Sequence, residues 1–229
     1  MTGATRQPLD IFIHLPKTGG TSLSQIFRRL RPEEETIDHT IVIDRIDELD
    51  DIPAERRDRV KLIMAHCTYG VHAYFPGASP VRYFTMLRHP VERVISLYYF
   101  LRTYPGYVEY LADLSFEDYV ARDHEAENQQ TRLLSGETQL VPITEDHLER
   151  ALAHLESFAL VGTTEQFPRY AAVLGAILGV DPQYDVVNVT SDRPRTVSDA
   201  TRRLVEERNA FDMVLYRRAH DWFAERYGA

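Results

Sequence analysis

Apolar residues along this chain fall into two alternating kinds of run. Ile11-Phe12-Ile13, Val60-Lys61-Leu62-Ile63-Met64-Ala65, Arg82-Tyr83-Phe84-Thr85-Met86-Leu87 and Phe158-Ala159-Leu160-Val161-Gly162 are short, near-continuous apolar blocks that predict buried strands. Between them apolar positions recur at helical spacing: Leu23, Ile26, Phe27 and Leu30, then Val91, Val94, Ile95, Tyr98 and Leu101 behind Pro90, then Phe167, Tyr170, Ala171, Leu174, Ile177 and Leu178. Residues 104–155 are mostly helical by pattern. A last long helix is predicted from an N-cap at Ser198, with Leu204, Phe211, Val214, Leu215, Trp222 and Phe223 on its apolar side. Strands alternating with helices predict an α/β fold in which a parallel sheet is covered on both faces. There is no internal repeat and no linker long enough to divide domains, so residues 1–229 are expected to form a single domain.

The loop after the first strand changes this from a fold prediction to a chemical one. Pro16-Lys17-Thr18-Gly19-Gly20-Thr21-Ser22 places one lysine, two glycines and three hydroxyls between a strand and a helix. Glycines let successive N–H groups converge, the helix adds its positive end, and Lys17, Thr18, Thr21 and Ser22 add donors, a cradle suited to phosphate or sulfate. The lysine precedes the glycine pair, whereas in the NTPase loop it follows the last glycine, so a nucleoside triphosphate is not the first expectation.

A second constellation lies at another strand end. Arg88 stands where the strand 82–87 finishes, and Ser96 falls about two turns into the proline-started helix that follows, so a guanidinium fork and a hydroxyl can meet an anion together. His66 stands at the end of the strand 60–65, the edge of a parallel sheet where ligands bind.

These segments resemble sulfotransferases that use 3′-phosphoadenosine 5′-phosphosulfate (PAPS), in particular the heparan sulfate 2-O- and 6-O-sulfotransferase branch. Residues 16–22 resemble the family's 5′-phosphosulfate loop, and 86–96 resemble its 3′-phosphate segment. The resemblance implies a P-loop-like three-layer fold and transfer of a sulfuryl group from PAPS to an acceptor hydroxyl, leaving adenosine 3′,5′-bisphosphate (PAP), with no metal required. It implies Lys17 as the charge-neutralising residue and His66 as the base, with His72 the runner-up because residues 70–73 resemble the region around the base of the 6-O branch. Residues 188–195 resemble a late loop that closes over the 3′-phosphate, which makes Ser191 and Arg193 candidates. Residues 128–132 resemble an acceptor-side segment, which adds Asn128, Gln130 and Arg132. A tyrosine cluster at 98, 99, 104, 107 and 110 is a further candidate wall for an acceptor cleft.

Charge and cysteine content narrow the setting. A net charge of −9 and a pI near 5.5 argue against a general binder of nucleic acid or anionic membranes, so any anion site must be a local pocket. Cys67 is the only cysteine, which excludes an internal disulfide and suits a reducing compartment. With no signal-peptide pattern and no membrane span, a cytoplasmic location is expected, and with it a small-molecule or glycan acceptor other than the polysaccharide of the Golgi-anchored relatives. Two other classes stay open: a nucleotide kinase in which Asp44, at the end of the run Ile41-Val42-Ile43, helps to hold Mg²⁺, and a nucleotide-binding module without catalysis.

Overall fold

The computed structural model describes residues 7–38, 49–186 and 197–228. Its centre is a parallel sheet of β1 (Leu9–Ile13), β2 (Thr36–Asp38), β3 (Leu62–Ala65), β4 (Val81–Leu87) and β5 (Leu160–Thr163), in the spatial order β2-β3-β1-β4-β5. Strand β1 lies in the middle, with Ile11 opposite Ile63 on one side and Tyr83 on the other. Every residue of β1 is buried, as a strand covered on both faces must be.

Alternate residues feed two cores. Leu9, Ile11 and Ile13 join Ile63, Ala65 and Leu87 beneath α6 (Gln129–Ser135), α7 (Glu145–Ser157) and α10 (Ala210–Tyr227), through Leu133, Leu155 and Leu215 among others. Phe12, Leu62, Met64, Phe84 and Met86 face the other way, against α1 (Gly20–Phe27) and α8 (Phe167–Leu178). The result is a three-layer α/β architecture of the P-loop-like kind. Asp10, fully buried at the start of this pattern, is held by Arg82, whose Nε and Nη2 donate to the two carboxylate oxygens at 2.6 and 2.9 Å. Removing Arg82 would strand that buried carboxylate, at a loss of about 3 to 5 kcal/mol.

A third core joins α3 (Pro90–Leu101), α5 (Phe116–Arg122) and α9 (Asp199–Arg208) through Val94, Tyr98, Tyr119 and Val205. Here the helices depart from the sequence expectation in one place, the last helix. The stretch 104–155 is mostly helical, as the pattern predicts, but in pieces: α4 (Val108–Leu111), α5, α6 and α7, with Gly106 in the left-handed region before α4 and Gly136 between α6 and α7. The expected final helix begins at Ser198, whose side chain accepts from the Thr201 amide, but it divides at Asn209. That side chain is buried and donates to the carbonyls of Ala126 and Val205 while accepting from the Asn128 amide, so it competes with the helix for its own backbone. Among the described residues no helix is long and apolar enough to cross a membrane.

Candidate functional site

The chain leaves β1 toward β2 on one side of the sheet and leaves β4 toward β5 on the other, so the crevice between the carboxyl ends of β1 and β4 is the topological switch point. The loop after β1 and Arg88 after β4 meet there.

The loop closes on itself before it opens onto the crevice. Thr18 is fully buried, and its hydroxyl donates to the Leu15 carbonyl at 2.8 Å. Lys17 and Gly19 both take left-handed backbone angles, at φ 68° and 79°. For a lysine this conformation costs roughly 1 to 2 kcal/mol, so the surroundings must impose it. Gly20 opens α1 against the ring of His14: a Cβ placed on Gly20 would lie 1.9 Å from His14 Cδ2 and 2.2 Å from Nε2. Only a residue without a side chain lets the helix start there. The Lys17 ammonium sits 4.0 Å from the centre of the Phe100 ring, a cation–π contact. Ser22 donates to the Asp185 carbonyl at 2.8 Å, tying the first turn of α1 to the segment after α8.

Arg88 is fixed at both ends. Its amide donates to Gln130 Oε1 and its carbonyl accepts from Gln130 Nε2, each at 3.0 Å, while its Nη1 donates to the Lys17 carbonyl at 3.0 Å. Its other terminal nitrogen lies 4.0 Å from Glu92. Ser96 and, one turn further along α3, Phe100 line the same crevice.

His66 enters from the end of β3. Its Nδ1 lies 2.5 Å from the main-chain oxygen of His14, and the two imidazoles are 4.3 Å apart. A carbonyl can only accept, so Nδ1 carries the proton and Nε2 keeps its lone pair. Burial holds the His66 pKa below the usual histidine value, with the bond to His14 pulling the other way. His14 is pushed down to about 3, first by burial and then by His66, Lys17 and Arg28. Both rings are neutral at pH 7.

The cavity these residues share has a volume of about 530 Å³, within the range of small-molecule sites. Lys17, Gly19, Gly20, Thr21, Ser22, His66, Arg88 and Ser96 all line it, and no carboxylate does among the described residues. Its other wall is apolar, including Leu97, Phe167 and Tyr184, the last two with ring centres 4.8 Å apart. Two cationic side chains, a helix N-terminus and a flat apolar wall suit a ligand that carries anionic groups and a planar ring.

Several expected residues lie elsewhere. His72 does not line the cavity; its Nδ1 is 2.7 Å from the Tyr83 hydroxyl, which also accepts from the amides of Gly70 and His72. Asn128 and Arg132 are buried with internal partners: Asn128 accepts from the amides of Phe211 and Asp212, and Arg132 donates to the carbonyls of Gln139 and Val141. Gln130 reaches the site only through the backbone of Arg88. Tyr98 is core, its hydroxyl donating to the Leu114 carbonyl. Ser191, Arg193 and the run Ile41–Asp44 lie outside the described residues.

Other residues of the site were not anticipated. His14 stands at the end of β1 as His66 stands at the end of β3, so the same strand-end argument reaches it. Phe100 lies one turn beyond Ser96, and Thr164 and Phe167 follow β5, again within reach of that argument. Tyr184 carries no comparable signal.

Residues 10–217 match the profile of the Sulfotransferase family. No curated protein matches the chain. Among solved structures, the mouse sulfotransferase SULT7A1 complexed with PAP is 16% identical, with a TM-score of 0.37, and the match covers 91% of this chain and 66% of that one. The chain thus spans just under two thirds of the mouse protein's chain.

Proposed function

The chain belongs to the Sulfotransferase family, and we propose on that premise that it transfers a sulfuryl group from PAPS to the hydroxyl of a small acceptor. The observation that carries this reading is the bond from Arg88 to the Lys17 carbonyl, which joins the two anion motifs at the switch point of one sheet. In this reading the loop amides up to Ser22 and the Thr21 hydroxyl hold the phosphosulfate, Arg88 and Ser96 hold the 3′-phosphate, and Phe167 and Tyr184 flank the adenine; the Thr18 hydroxyl, expected as a further donor, instead donates to the Leu15 carbonyl. PAPS, when bound, supplies the activated sulfuryl group.

The protein's own groups then have separate tasks. His66 accepts the acceptor's proton at Nε2, the nitrogen left open by its bond to His14. Lys17 provides fixed positive charge at the phosphosulfate end, and its contact with Phe100 holds the ammonium in place. Gln130 acts as a positioning residue, by clamping the backbone of Arg88. The lone cysteine, buried Cys67 with its thiol pushed up to about 12 by burial, suits a reducing cytoplasm.

Thermal unfolding with PAP tests the reading. At one hundred times its Kd, PAP should add about 2.7 kcal/mol of stability in the presence of EDTA. A melting temperature unmoved by PAP but raised by ATP with Mg²⁺ would replace this reading with the kinase.

A further inference from the structure

We propose, resting on the sulfotransferase reading above, that Gln25 and Arg29 are positioning residues for the nucleotide's base, which hold the segment 181–186 so that Tyr184 stands against Phe167 in the cavity wall. Neither Gln25 nor Arg29 lines the cavity, whereas Tyr184 and Val186 do. The segment has no regular secondary structure, and Asp181, Gln183, Asp185 and Val186 are exposed. Its half-buried side chains are Pro182 and Tyr184. Pro182 packs on Gly175, where a Cβ would come within 2.9 Å of the proline's own Cβ, and the Tyr184 ring meets that of Phe167 at 4.8 Å between centres. An exposed, irregular strip anchored by two side chains keeps much of its backbone freedom unless its amides and carbonyls are bonded as well.

Those bonds come from one face of α1. Ser22, Gln25 and Arg29 are spaced by three and four residues, which puts them in line along the helix. Ser22 Oγ donates to the Asp185 carbonyl at 2.8 Å. Gln25 pairs with both main-chain groups of the same residue: its Oε1 accepts from the Asp185 amide at 3.0 Å, and its Nε2 donates to the carbonyl at 3.3 Å. One turn further on, Arg29 Nη1 donates to the carbonyls of Asp181 and Gln183 at 3.0 and 2.5 Å, bonds strengthened by the charge of the guanidinium. Tyr184 therefore stands between two clamped neighbours, Gln183 and Asp185, and the direction of its ring is set from both sides. The helix that does this opens at Gly20, in the loop assigned to the phosphosulfate. The distance from the anion loop to the aromatic wall is thus fixed by a helix and not by the irregular chain that carries the ring, and the base is met by a surface already in place.

The test compares PAP with its abasic counterpart, 1-deoxyribose 3,5-bisphosphate, by calorimetry. Gln25→Ala/Arg29→Ala should weaken PAP about tenfold and leave the abasic ligand unchanged. In a Tyr184→Ala background the same pair of substitutions should weaken PAP no further, because the ring they position is gone. In the unliganded protein, hydrogen exchange at the Asp185 amide, which is bonded to Gln25, should be faster in the double variant. If that variant melts well below the parent protein, Arg29→Ala alone, at an exposed position, should still weaken PAP and spare the abasic ligand. Equal losses for the two ligands, no loss for PAP, additive effects of the Tyr184 and Gln25/Arg29 substitutions, or unchanged exchange at Asp185 would overturn the proposal and leave the sulfotransferase reading standing. So would a parent protein that binds the abasic ligand as tightly as PAP. A parent protein that binds neither ligand would overturn the reading beneath it, and the proposal with it.

Discussion

Arg88 donates from Nη1 to the main-chain oxygen of Lys17 at 3.0 Å, so the guanidinium assigned to one end of the ligand also holds the residue assigned to the other end in its left-handed conformation. Arg88→Ala should therefore act at two places. Loss of a charge-assisted bond to the 3′-phosphate, worth about 1.5 to 3 kcal/mol, should weaken PAP by roughly 10- to 150-fold. Adenosine 5′-phosphosulfate, which lacks that phosphate, should weaken less, through the loosened Lys17 alone. Equal losses in calorimetric titrations of the two ligands would make Arg88 a structural residue.

His66→Ala should lower turnover about 10²- to 10⁴-fold while PAP affinity stays near that of the parent protein. The companion His72→Ala should do the reverse, costing about 1 to 3 kcal/mol of stability because the buried Tyr83 hydroxyl loses a partner, with turnover little changed. Full activity of the His66 variant would remove it as the base.

Turnover should also report His66 through pH. The base must be neutral, and burial sets its pKa below 6.5, so the rate should rise with pH on the acid side of 6.5 and be level at neutral pH. A rate still climbing above pH 7 would mean that another group is titrating.

Stability should respond to His14 in the same window. Its pKa is 6.5 in the unfolded chain and about 3 in the fold, so between those values the unfolded state binds more protons, and stability falls as pH drops from 6.5 toward 3. His14→Asn removes that titration. Its melting temperature should fall less between pH 7 and pH 4.5 than that of the parent protein.

The contact between Gly20 and His14 gives the sharpest steric prediction. Gly20→Ala forces a methyl group to within 1.9 Å of the imidazole, and the overpacking should cost about 1 to 3 kcal/mol in denaturant titration and shift the first turn of α1 away from its ligand geometry. Adding His14→Ala should recover much of that loss. A double variant as unstable as the sum of the single ones would show that the crowding lies elsewhere.

Much of this architecture was legible because parallel strands covered on both faces leave unbroken apolar blocks, and each block delivers its next residue to the ligand edge. His66 and Arg88 are reached in that way, and Lys17 through the glycine-bearing loop that follows the first block. The strand ends themselves moved: the block 60–65 is a strand only from Leu62, and 158–162 only from Leu160, because pairing with neighbours and not apolar content sets the ends. Asn128 and Arg132 misled because a polar run next to apolar residues looks the same whether its side chains face a ligand or satisfy buried backbone. Only the partners at Phe211, Asp212, Gln139 and Val141 distinguish the two. Tyr184 was out of reach for another reason: it meets Phe167 through the path of the chain after α8, which no local pattern encodes.

The central position of β1 has a consequence for how the protein is made. The strand is made before both of its neighbours, β3 and β4, so it has no sheet partner until Leu62–Ala65 and then Val81–Leu87 have been synthesised. At roughly 5 to 20 residues per second the wait lasts several seconds, during which Leu9–Ile13 is an apolar segment with open hydrogen-bonding edges on both sides. Nascent chains that stop short of Arg88 would lack both the second flank of the strand and the guanidinium that shapes the loop. Ligand binding by a series of stalled chains should therefore be absent when β4 is complete and appear only after α3, β5 and the helices that cover β1 have been made.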